Sequence, residues 1–406
     1  MGYEFTNIPA NWSIKKMPEV VKWGSGGTPK ATEKAYYENG TIPWLIIGDL
    51  NDGIVTESAT KITELGLENS SAKIIPTGTL LVAMYGSIGK LGITGIECCT
   101  NQAIAYAKRL YGVTTKFMYY YMALIKPELI GMGKGGTQKN ISQAVLNSLS
   151  VPVPPLEEQK CIVARIEELF SELDNGVETL RKTKQQLAVY RQALVKSVLD
   201  TYCNDVKTTK IGDVCHDVKV GIVIKPTQYY VQSGGVRAFR NANVRRNYIE
   251  DDDWAMISLE GHQKNARSEV HAGDVLIARS GVNLGMASAV PEQYDGYNAI
   301  DVVIAVPKQE LILPRYLAYY TNSPYGISSV KRNQRGVAQG HLNITVYGKL
   351  PIMLPEIKVQ ETIIREIDAR LSACDSIEKT VDTALQQAEA MRQSILKKAF
   401  EGKLRE

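Results

Sequence analysis

The chain is written twice. Two stretches about 200 residues apart carry the same pattern, and a repeat of that length requires one structural unit to be built two times. Late in each half a proline-rich strand end runs into a helix, VPVPPLEEQ at 151–159 and LPIMLPEIKVQ at 350–360. A shift of 201 lays Gln159 on Gln360, Ile166 on Ile367, Leu173 on Cys374 and Asp174 on Asp375, and puts YRQAL (190–194) on MRQSI (391–395). Upstream, with small gaps, GTLLVA (78–83) matches GDVLIA (273–278), and Tyr85-Gly86 falls on Ser280-Gly281. The order is globule, helix, globule, helix, with segments 1–155, 156–203, 204–355 and 356–406.

Both helical segments lack proline and keep an alternating three-four spacing. The first seam reads Val163, Ile166, Phe170, Leu173, Val177, Leu180, Lys184, Leu187, Arg191, Leu194, Val198. The second reads Ile364, Ile367, Leu371, Cys374, Glu378, Val381, Leu385, Ala388, Arg392, Ile395, Ala399. Such a spacing held for about five heptads marks a coiled coil rather than a globular surface helix. Equal periods in one chain predict that the two helices pair with each other; the competing reading packs each on its own globule. Arg191 and Arg392 hold equivalent seam positions, either buried to fix register or with the stem covering apolar surface and the head wet. Gly176 is a local weak point, costing up to about 1 kcal/mol against alanine. Leu169, Ala188, Val195 and Leu199 lie off the seam and are expected to form a partner-docking surface.

Bulk numbers narrow the function. At 406 residues, 44% hydrophobic and 22% charged, the chain reads as a soluble protein of two or more domains. No run of eighteen apolar residues and no signal-peptide pattern occur, so a cytoplasmic location without membrane contact is expected. Six cysteines without a CxxC pair read as reduced thiols, and four scattered histidines give no metal spacing. The net charge of +4 is uneven: 1–155 and 204–355 are each +3, whereas the helical segments are each −1. A polyanion fits the globules.

Each globule reads as strand-rich α/β structure, with strands near 42–47, 79–84 and 301–306 and helices near 115–125 and 314–321. The tyrosines of FMYYYMALI and RYLAYY are expected to pack in the core. Three loop types are candidates for nucleic-acid contact. The first is GSGGTPK at 24–30, with Thr28 and Lys30. The second is YGSIGK at 85–90, with Tyr85, Ser87 and Lys90, matched by Arg279 and Asn283. The third is KGGTQKN at 134–140, with Lys134, Gln138, Lys139 and Asn140, matched by Arg332, Arg335 and Gln339. Glycine lets the backbone approach phosphate, Lys and Arg supply charge, and Gln, Asn or Arg can pair with base edges.

Enzyme signatures fail. A P-loop needs glycine where Met84 stands and Ser or Thr where Leu91 stands. The one Pro-Pro, Pro154-Pro155, has neither the polar residue before it nor the aromatic after it that amino-methyltransferases carry. No GxSxG occurs. The expectation is a chain with no catalytic residues, metal or cofactor of its own.

With the order established, the chain resembles the specificity subunit of type I restriction–modification systems. The likeness rests on GSGGTPK (24–30), Tyr36-Tyr37, GTIPW (40–44), IGDL (47–50), PPLEEQ (154–159) and RQSILKKAFEGKL (392–404). It implies an α+β fold of two mixed α/β target-recognition domains, separated and joined by two long helices in an antiparallel coiled coil. Ile166, Phe170, Leu173, Leu180, Leu187 and Leu194 would pair with Ile367, Leu371, Val381, Leu385 and Ile395. Each domain would bind half of a split site in double-stranded DNA. The helices would dock two methyltransferase subunits, with restriction/translocase subunits joining them; S-adenosylmethionine and ATP belong to those partners. The second globule lacks the GGTP and IPW signals, so the two are expected to read different half-sites.

Overall fold

The computed structural model describes residues 8–135, 139–334 and 341–404. Its contacts divide the chain into two units, 1–180 with 383–406, and 181–382. The division cuts both long helices, Leu156–Cys203 and Ile357–Phe400, so each unit holds one globule and half of each helix.

In the first unit a five-stranded sheet has the order Val21–Ser25, Ile104–Leu110, Leu80–Ala83, Leu91–Thr94, Gly53–Val55. A three-stranded sheet places Ile42–Leu45 between Lys61–Ile62 and Cys99–Thr100. The helix Thr115–Met132 buries Phe117, Met118, Tyr121 and Met122 against the larger sheet. Leu80 to Ala83 are buried on both faces, which explains an unbroken apolar run where a half-exposed strand would alternate.

The second unit follows the same plan. Cys215–Val220, Val302–Pro307, Val275–Ala278 and Ala287–Ala289 form one sheet, and Ala255–Ile257, Val236–Phe239, Tyr297–Ala299 and Glu269–Val270 the other. Here the covering helix is broken into Pro314–Asn322 and Pro324–Gln334. A proline disfavours helical backbone in the residue before it, and Ser323 before Pro324 is extended. Tyr316, Tyr319 and Tyr320 are buried, as core packing requires.

A short antiparallel pair ties each globule to its helix: Ser13–Lys16 with Ser150–Val153, and Thr208–Lys210 with Pro351–Met353. The glutamines that the shift of 201 superimposes sit at these junctions, both fully buried. Gln159 accepts from Thr114 N at 3.0 Å and donates to the carbonyls of Gly112 and Pro154, each at 2.9 Å. Gln360 accepts from Leu313 N at 2.8 Å and donates to the carbonyls of Leu311 (2.9 Å) and Pro355 (2.8 Å). One amide thus locks the helix start to the loop before the covering helix, in both units alike.

The long helices pair antiparallel inside each unit. In the first, Arg392 bonds Asp174 and lies 4.9 Å from the Phe170 ring centre. In the second, Lys184 meets Asp382 at 2.7 Å, Arg191 meets Asp375 (2.7 Å) and Glu378 (2.8 Å), and Tyr202 donates to Glu366 at 2.7 Å. Each step forward along one helix is a step back along the other. Every seam position is buried or half-buried, including Ile166, Leu187, Leu194, Ile367 and Val381 in the interior and Phe170, Leu173, Leu180, Leu371, Leu385 and Ile395 at its margin. The arginines take the second of the two arrangements open to them: stems against the seam, heads partly exposed on carboxylates. Leu396, Ala399 and Phe400 end in the first unit's core, with Phe400 4.9 Å from Phe117.

One expectation fails. Val195 and Leu199 are buried in the second unit's core beside Val198 and Ile363, so they are not a docking surface. Near this helix end the globule wraps the helix and covers more than the seam. Ala188 is exposed and Leu169 half-exposed.

Candidate nucleic-acid interface

In the first unit, Ser25 pairs with Ala105 and Ala83 with Ile104, so strands 21–25, 104–110 and 80–83 share one end. The three candidate loops gather there. Gly26 and Gly27 donate to the carbonyls of Ile104 (3.5 Å) and Thr100 (2.8 Å). A side chain on Gly26 would begin 2.1 Å from the Thr100 oxygen, which excludes every residue but glycine. The Trp44 indole donates to Gly27 O at 2.9 Å and the Tyr37 hydroxyl to Pro29 O at 2.6 Å. Three motifs distant in sequence therefore form one brace, which leaves Thr28 and Lys30 exposed. The Thr28 hydroxyl donates to Gln102 in the neighbouring turn.

The second and third loops touch directly. Gly86 N donates to Lys139 O at 3.1 Å, and Ile141 N to Met84 O at 2.9 Å. Lys134 and Asn140 exchange backbone bonds of 2.9 Å, which closes the third loop at its base. Tyr85, Ser87, Lys134, Lys139 and Asn140 are exposed. Gln138, Arg335 and Gln339 lie outside the described residues.

Between these loops and helix 115–132 lies a cavity of about 330 Å³, lined by Lys90, Lys126, Lys139, Asp52, Ser87 and Ile88 among others. Asp52 accepts from Leu91 N at 2.8 Å with one oxygen and from Lys126 Nζ at 2.9 Å with the other. Lys90 Nζ reaches Ile47 O at 3.4 Å. Three lysines against one carboxylate leave the cavity with a net positive charge. Tyr119, whose phenol burial pushes up to about 12, stays a neutral donor to Asp52 O. The sequence did not single out Lys126 or Asp52. Lys126 stands on a helix read for its core face, and Asp52 takes left-handed backbone (φ 55°) in a turn without a motif.

The second unit repeats the geometry with other side chains. Gly221 and Ile222 donate to Val302 O (2.9 Å) and Ala299 O (2.8 Å), as Gly26 and Gly27 do to theirs. A side chain on Gly221 would begin 2.4 Å from Ala299 O. Gly221–Lys225 is thus the counterpart of Gly26–Lys30, hidden in sequence because only the close-packed glycine and the final lysine are kept. Gly281 (φ 71°) turns the second loop as Gly86 (φ 63°) does, and Leu342 N returns to Arg279 O at 2.8 Å. Arg279 is mostly buried and meets Asp301 at 3.2 Å. Asn241 accepts from Arg279 N (2.7 Å) and donates to Ser280 Oγ (2.9 Å), and Asn283 donates to Asn241 O (2.9 Å). Arg279 and Asn283 therefore brace their loop, whereas Arg332 is exposed.

Among the described residues no cluster of three or more His, Cys, Asp or Glu is placed to hold a metal ion, and no helix is long and apolar enough to cross a membrane. Two α/β units of one plan, each with polar and basic loops at one end of a sheet and each fused to an antiparallel helix pair, define a duplicated recognition protein. The type I restriction modification DNA specificity domain family matches residues 9–187 and again 204–387, and the chain belongs to that family. The specificity subunit of the type I restriction enzyme EcoKI from Escherichia coli K12 is 22% identical over 98% of this chain and 90% of its own length. A solved chain from work on assembly and conformational transition of the type I R-M system shares the fold, with a TM-score of 0.75, 16% identity and coverage of 98% of this chain and 99% of that one. The HsdS subunit from Thermoanaerobacter tengcongensis gives a TM-score of 0.57 at 16% identity, covering 98% of both chains.

Proposed function

We propose that this chain is the non-catalytic DNA-specificity subunit of a cytoplasmic type I restriction–modification complex. Segments 1–155 and 204–355 are its two target-recognition domains, each reading one half of a bipartite site in double-stranded DNA. Segments 156–203 and 356–406 are spacers that set the gap and dock two methyltransferase subunits, which restriction/translocase subunits join. The observation that carries this reading is the duplication of the loop cluster. Both halves match one family, and in each the candidate loops leave the same end of an equivalent sheet.

In the first domain, Lys90, Lys126 and Lys139 are suited to backbone phosphate and Asn140 to a base edge. A helix of 44 residues is about 66 Å long, against roughly 34–36 Å for a turn of DNA, so the spacers are long enough to hold a pair of contacts more than one turn apart. The test is co-expression with methyltransferase chains, then native mass measurement and footprinting of the purified complex. One copy of this chain with two methyltransferase subunits, protecting two separated blocks of bases, is the expected result. Binding of this chain to bipartite DNA with no stable association would overturn the role in an enzyme complex.

A further inference from the structure

Among the described residues the two most exposed large hydrophobic side chains are Val282, 96% exposed, and Ile224, 75% exposed. A lone exposed aliphatic needs no explanation. These two stand on two loops that leave the same end of one sheet, since Val220 pairs with Val303 and Ala278 with Val302. Their loops are also the counterparts of candidate DNA-contacting loops in the first unit. With Gly221 on Gly26, Val223 and Ile224 fall on Thr28 and Pro29; with Gly281 on Gly86, Val282 falls on Ser87. The first unit thus presents the hydroxyls of Thr28 and Ser87 where the second presents Val223 and Val282, and Ile224 stands exposed where Pro29 is buried.

Cations stand on the same or neighbouring segments as these tips. Lys225 follows Ile224 and is exposed. Val330 reaches to 3.5 Å from where a side chain on Gly285 would begin, in the same loop as Val282. Exposed Lys331 and Arg332 follow it directly. Aliphatic tips with positive charge on the adjoining segments fit an anionic partner with an apolar spot between its charges. In a DNA major groove that spot is the thymine C5 methyl, the one apolar group on the base edges, flanked by phosphates.

We infer that the second half-site contains thymine, and that Val282 and Ile224 read its methyl group. This rests on the proposal that each unit reads one half-site, and the test keeps the two apart. The wild-type complex with methyltransferase subunits is first bound to a duplex carrying its own methylation motif. Thymines of one half-site are then replaced by deoxyuridine, which removes the methyl and leaves the hydrogen-bonding pattern. For the second half-site the affinity should fall about fourfold per methyl contacted, the transfer value of one buried carbon group. V282S and I224S should bind the thymine duplex more weakly and lose the thymine–uracil difference in that half only. Unchanged thermal melting excludes misfolding as the cause, because both side chains point into solvent.

A second half-site without thymine, equal wild-type binding to both duplexes, or variants that keep the full thymine–uracil difference would overturn the inference. Loss of methyltransferase association in V282S with that difference intact would also overturn it and make the tips a protein-docking surface. Failure of the wild-type complex to prefer its unsubstituted bipartite duplex would instead overturn the underlying reading.

Discussion

Gln159 and Gln360 are where the duplication is most literal. Each satisfies one backbone N–H and two carbonyls from a fully buried position. Truncation strands those groups, and an orphaned buried polar group costs about 1–3 kcal/mol. Q159A and Q360A should each lower stability by about 3 kcal/mol in urea denaturation; losses under about 1 kcal/mol would show that water replaces the amide. For the lysine cavity, K90Q, K126Q and K139Q should each reduce the salt slope of DNA binding by about one ion and leave sequence preference unchanged. A changed preference would make them base readers. Both glutamines were legible in the sequence because repetition exposes them. Arg279, held by Asp301, could not be told from a free cation, because the Asn241 brace comes from a turn 38 residues away in sequence that no local pattern announces.

At the scale of elements, the seam of the long helices was legible because a three-four spacing is visible in one dimension. Direction was not, since a seam reads the same either way. It is carried by cross-pairs such as Arg191 with Asp375 and Lys184 with Asp382, whose members lie far apart in sequence. The fate of Val195 and Leu199 was likewise hidden, because only the fold shows where a globule wraps its helix. Ile166, fully buried where the second helix ends in the first core, should cost about 2–5 kcal/mol as I166A. Leu173, at the half-exposed margin, should cost less than half as much as L173A. Equal losses in denaturation would mean that the pair is packed evenly along its length.

For the whole molecule, the proposed spacer role makes the gap a mechanical quantity. One heptad inserted at matched positions in both helices adds about 10 Å, or roughly three base pairs. Methylation motifs should then keep both half-sites and widen the gap by that amount; an unchanged gap would assign spacing to the partner subunits. The duplication, helices and family were legible because they are periodic or linear signals. The second domain's loops were not, because only Gly221, of the 24–30 motif, is held by close packing.

In the proposed function, two unlike readers of one plan each contribute half of a single specificity. Modified-base sequencing of DNA from cells that express this chain with candidate methyltransferase subunits reads that division of labour. One motif of two short, different words separated by a constant run of unspecified bases is the expected result. A single continuous word, or a palindrome without a gap, would contradict it.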